Sequence, residues 1–102
     1  MFIGALTLDI LLGDVRSLKQ KRSVVRPIVA ELQRAFSVSV AETGNQELYR
    51  RCEIGVAVAA STAAHCSNLM DSCERTVADH PEIDLLSARQ RIFNAEEESD
   101  DD

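Results

Sequence analysis

Five cations, Arg16, Lys19, Lys21, Arg22 and Arg26, fall within eleven residues, with no acid between Arg16 and Glu31. Positive charge at that density neutralises phosphates, and RNA affinity usually begins there. The cluster also opens what reads as a helix, where the backbone dipole disfavours cations, so its placement asks for another cause. The bland alternative is an ordinary solvated helix face. Arg50 and Arg51 form a second basic pair, preceded by Gln46 and Tyr49, a polar and an aromatic side chain that could contact a partner.

Two other constellations carry less. Asp9 and Glu53 fall on two strands and, as neighbours, would make a carboxylate pair able to shift proton affinities. Ion pairing with Arg89 or Arg91 on an adjacent strand is the preferred alternative, because cross-strand charge pairs are common. Cys66, Cys73 and His80 are spaced by seven, which on a helix separates neighbours by about 10 Å. That is too far to share one ion, and CxxC, HxxxH and HExxH motifs are absent, so no metal is expected. There is no glycine-rich phosphate loop and no GxSxG, so no cofactor, small-molecule substrate or enzymatic activity is expected.

These residues must be positioned by a small frame. At 102 residues, with 45% hydrophobic and 27% charged residues, the chain suits one compact domain. No apolar run reaches the roughly 20 residues that span a membrane, and the apolar start carries Asp9 without a basic lead, so neither a membrane anchor nor a signal peptide is expected. Three cysteines do not make a disulfide framework; they are expected to be reduced and buried in a cytoplasmic protein. The net charge of −6 comes from the end: six of the residues 96–102 are acidic, and without them eleven acids face eleven bases. Residues 1–94 are expected to form the domain and 95–102 a disordered acidic tail, one that could compete with RNA for the basic end.

The elements follow from periodicity. Residues 2–12 alternate, with Phe2, Leu6, Leu8, Ile10 and Leu12 to one side. Ser17 and Gln20 make a capping box, and Leu18, Val25, Ile28, Val29, Leu32 and Phe36 form the apolar stripe of a helix. Lys19, Lys21 and Arg22 are not counted in that stripe and are expected at the surface. Pro27, well inside this helix, predicts a kink near Ser23–Pro27 or a helix in two parts. Residues 37–42 read as a short strand, Thr43-Gly44-Asn45 as a turn, and Cys52–Ala60 as a third strand. Ser61 or Thr62 caps a second helix, with Cys66, Leu69, Met70, Cys73 and Val77 inward; His80-Pro81 stops it, with His80 expected to meet the last carbonyls. Residues 83–93 read as a fourth strand with Leu86, Ala88 and Ile92 sharing a face. Strand, helix, strand, strand, helix, strand is the order of a ferredoxin-like split βαβ sandwich, an α+β fold with two helices on one face of a four-stranded antiparallel sheet. In that topology the loop before the first helix and the 43–51 connection share one end of the sheet. The other sheet face reads as small and weakly polar, without aromatics, which disfavours base stacking and leaves self-association through that face as an alternative role.

The run Ser17-Leu18-Lys19-Gln20-Lys21-Arg22-Ser23-Val24-Val25, followed by Val38-Ser39-Val40-Ala41-Glu42 and Glu53-Ile54-Gly55-Val56-Ala57-Val58, resembles the YlxP-like family of small bacterial proteins, over residues 1–93. The resemblance implies a ferredoxin-like fold. Because genes of that family often lie between those for translation initiation factor 2 and ribosome-binding factor A, it also implies a role near translation or ribosome maturation, a warrant by association. The family brings no agreed catalytic residues. The chain departs from the usual pattern at Pro27, at Asn45, where an acid is more common, and in its acidic tail. The expected function is therefore a non-enzymatic accessory protein that binds RNA or a ribosome-associated partner, with a homodimeric protein-interaction module as the alternative.

Overall fold

The computed structural model describes residues 1–98. Strand β1 (Phe2–Leu12) leads to helix α1 (Leu18–Phe36), β2 (Ser39–Gly44), β3 (Arg51–Ala60), helix α2 (Ala63–Ala78) and β4 (Ile83–Asn94). The sheet order is β2-β3-β1-β4, with every neighbour antiparallel. Both helices pack on one face of this sheet and on each other, giving the expected ferredoxin-like α+β sandwich. No described helix is long and apolar enough to cross a membrane.

The core lies between the sheet and the helices. Leu6, Leu8, Ile10 and Leu12 of β1 and Cys52, Ile54, Val56 and Val58 of β3 meet Val25, Ile28 and Leu32 of α1 and Cys66, Met70, Cys73 and Val77 of α2. Gly4 belongs to the same face of β1. A Cβ there would stand 2.6 Å from Cys66 Sγ and 2.9 Å from Met70 Sδ, so the absent side chain is what lets α2 lie against β1.

Local signals explain most element boundaries. The Ser17 hydroxyl accepts the Gln20 N–H at 3.1 Å, and the Gln20 side chain accepts the Arg16 N–H at 2.6 Å. Thr62, rather than Ser61, caps α2 by accepting the His65 N–H. Helix α1 is one element and runs through Pro27, contrary to the two-part reading. Pro27 lies on the exposed face, where the carbonyl left without its intrahelical donor is open to water.

Two boundaries moved. Ser37 adopts the left-handed conformation (φ 53°) and caps α1 with its N–H on the Gln33 carbonyl, so β2 starts at Ser39 and continues through Thr43 and Gly44, which had read as part of a turn. In β4 the pairing jumps from Ser87 opposite Asp9 to Leu85 opposite Ile10. Leu86 is the additional residue of this bulge and is 49% exposed, not grouped inward with Ala88. After the bulge the alternation places Phe93 on the open sheet face, opposite Ile3 and 44% exposed. That face is therefore not free of aromatics, as the sequence had suggested.

His80 donates its N–H to the Val77 carbonyl, as expected, but its ring reaches across to Glu31 of α1 at 2.9 Å. The three cysteines are free and buried. Burial, reinforced by the Glu42 carboxylate, pushes the Cys52 thiol up to about 12; burial alone raises Cys66 and Cys73. A thiol reagent at neutral pH is expected to label none of them in the folded protein and all three after denaturation. Because the unfolded chain ionises these thiols first, it binds fewer protons than the folded chain above about pH 9, and stability should fall from there towards pH 12. Fast labelling of the native protein would contradict the packing.

Residues Ala95–Glu98 form one 3-10 turn. The Ala95 N–H reaches the Met1 carbonyl at 2.9 Å, and the Met1 amino group pairs with the Glu96 carboxylate. The first half of the expected tail is thus tied to the start of β1. Ser99–Asp102 lie outside the described residues.

Candidate nucleic-acid interface

The basic run separates into residues with different tasks. Lys19, Arg22 and Arg26 are exposed on α1 and border a shallow groove with Ser23 and Pro27. Their spacing of three and four stacks them along one ridge. Among the described residues none of the three pairs with a carboxylate, and the first turn of α1 has no acid. Arg16, just before the cap, is exposed and contacts Asp14 at 3.2 Å, a surface contact of little worth.

Lys21 does not belong to this ridge. It is 2% exposed, and the expectation of a surface phosphate contact is corrected. Its Nζ donates to the Asn45 carbonyl at 2.6 Å and the Leu48 carbonyl at 2.8 Å, and pairs with Glu42 Oε2 at 2.9 Å. Two carbonyls accept ammonium protons and the carboxylate balances the charge. The signal was available. Lys21 falls between Leu18 and Val25 at the three-and-four spacing of the buried stripe that continues through Ile28 and Leu32. Glu42 has the same strand parity as inward Val40. A cation on an apolar stripe and an acid on an inward strand position are each costly unless paired, and here they pair.

The pair fixes the loop between β2 and β3. Asn45 turns the chain in the left-handed conformation (φ 59°), which asparagine tolerates better than most residues. Its carbonyl also accepts the Leu48 N–H, and the Gln46 amide donates to the Glu42 carbonyl at 3.1 Å. At the far end, Arg50 Nε donates to the Gly13 carbonyl at 2.8 Å and the Leu12 carbonyl at 3.2 Å. Arg50 is thus a clamp on the β1–α1 turn. Between the anchors, Gln46, Leu48 and Tyr49 are exposed. Arg51 is paired with Leu11 on the open-sheet side, away from the helix layer, so it does not join the α1 ridge.

Asp9 and Glu53 are direct cross-strand neighbours, as anticipated. Neither pairs with arginine. Asp9 accepts the Ser87 hydroxyl at 3.1 Å and Glu53 the Thr43 hydroxyl at 2.7 Å. Arg89 and Arg91 stand opposite Thr7 and Ala5 instead, and the Arg91 guanidinium lies 4.9 Å from the centre of the Phe93 ring. Among the described residues no three metal-ligating side chains converge.

An open antiparallel sheet backed by two helices, with a ridge of exposed cations beside a clamped loop, defines this small α+β domain. Residues 3–90 match the family model described as "Protein of unknown function (DUF503)", and the chain belongs to that family. It is 29% identical over 91 residues to the uncharacterized protein YlxP of Bacillus subtilis (strain 168), covering 89% of this chain and 99% of that one.

Proposed function

We propose that the protein is a non-enzymatic accessory factor of the cytoplasm that binds RNA, free or within a ribosomal particle, through the outer face of α1. The observation that carries this reading is the ridge Lys19–Arg22–Arg26, exposed and unpaired along the N-terminal half of α1, with Lys19 in the first turn, where the dipole opposes cations. Tyr49 and Leu48, on the loop held against α1 by Lys21, supply an aromatic and an apolar contact at the same end.

Glu96 is bound to Met1, at the opposite end of β1 from the start of α1. The strand's length separates the two ends by about 33 Å.

Changing Lys19, Arg22 and Arg26 together to Ala is expected to weaken RNA binding about tenfold or more at low salt, alike across sequences, with the melting temperature nearly unchanged. Crosslinked recovery of ribosomal subunits from cells should fall with it. A triple variant that binds as well as the wild type would overturn the reading.

A further inference from the structure

The open sheet face is a pattern of rows fixed by the strand register. Across β3, β1 and β4 the rows are Ala59–Ile3–Phe93, Ala57–Ala5–Arg91, Gly55–Thr7–Arg89, Glu53–Asp9–Ser87 and Arg51–Leu11–Asp84. The acidic row and the Arg91 row lie symmetrically about the Thr7 row. Ile3 and Phe93 are exposed at one end of the face, and Leu11 stands at the other.

We propose that a second copy of this chain covers the face, its strands antiparallel to the first, about a two-fold axis along the Thr7 row. In that orientation β1 lies over β1. Arg91 arrives over Ser87 of the second copy, one strand spacing, about 4.8 Å, from its Asp9. Leu11 meets Ile3. Each of these contacts occurs twice, as an isologous interface requires. The parallel alternative lays Asp9 and Glu53 of one copy on Glu53 and Asp9 of the other and crowds four carboxylates, so charge selects the antiparallel arrangement. Arg89 of each copy meets on the axis row at the β4 edge, where the long side chains can turn outward to water.

Size supports this occupant. Four strands at their usual spacing and rise offer about 500 Å² of face per copy, or on the order of 1,000 Å² for the pair, the threshold of a specific interface. Ala5, Ala57 and Gly55 at the centre keep the face low enough for close approach. The helices lie behind the sheets, so the dimer carries two outward α1 ridges with their basic ends at opposite poles.

Sedimentation equilibrium over a dilution series is expected to show a concentration-dependent dimer. Ala57→Arg should abolish it. Arg91→Glu should weaken it about tenfold or more, and adding Asp9→Arg should restore it. Thermal melting of each variant checks its fold, and Arg91→Glu at the sheet edge decides the matter if Ala57→Arg does not fold. A Thr7→Cys variant should be bridged by a short bis-maleimide, because the native thiols are buried. RNA binding per chain should persist in the monomeric variants, which separates this proposal from the function of α1. A wild type that is monomeric throughout, or a dimer indifferent to both substitutions, overturns it.

Discussion

Replacing Lys21 by Ala is expected to destabilise the protein by about 3–5 kcal/mol. Three groups lose their partner at once: the Glu42 carboxylate and the carbonyls of Asn45 and Leu48. A carboxylate left unpaired in a half-buried site bears the largest penalty, and each carbonyl that loses its donor adds to it. Small domains are stable by about 5–15 kcal/mol in total, so one side chain holds a large share. The pair itself need not favour folding over an apolar one. Lys21→Met combined with Glu42→Leu should therefore recover much of the loss, while the loop carbonyls turn to water. Chemical denaturation of the three proteins checks this. A Lys21→Ala variant within about 1 kcal/mol of wild type would show that Lys21 is not the anchor of the loop.

Gly4→Val is expected to be the other severe substitution. Even a methyl group at this position would sit 2.6 Å from Cys66 Sγ. The Met70 thioether, also in the way, is flexible and can retreat, but Cys66 is a short side chain on the inward stripe of α2, so the helix must shift. Overpacking of this kind costs about 1–3 kcal/mol, and valine belongs at or above the upper end. The cause is separable from strand propensity, for which valine is favourable. Pairing Gly4→Ala with Cys66→Ala should make the two changes less than additive, with a coupling of about 0.5 kcal/mol or more. Strict additivity would mean that α2 does not rest on Gly4.

Most of the frame was legible because it is written in periods. The alternation of β1 and β3, the stripe of α2 and the caps at Ser17 and Thr62 all act locally. What the sequence concealed depended on contacts between elements. Lys21 looked like one more surface cation because lysine is rarely buried; only its partner Glu42, more than twenty residues away, makes its place on the stripe affordable. The bulge at Leu86 shifted the parity of β4 on its N-terminal side and left Leu86 exposed, and no residue of that strand announces the slip. The arginine pairing expected for Asp9 failed for the same reason, since register gave it Ser87. Of the residues expected to bind, Arg16, Lys19, Arg22, Arg26, Gln46 and Tyr49 lie exposed at one pole, whereas Lys21, Arg50 and Arg51 are respectively buried, engaged as a clamp, and turned to the other face.

The salt dependence of RNA binding tests the central claim most directly. Four exposed cations, Arg16, Lys19, Arg22 and Arg26, predict a slope of about −2.8 for the logarithm of affinity against the logarithm of salt on single-stranded RNA, from roughly −0.7 per phosphate contact. Removing Lys19, Arg22 and Arg26 should leave a slope of about −0.7. Absence of binding by the wild type at low salt, or the same slope for both proteins, would contradict the assignment of the α1 ridge.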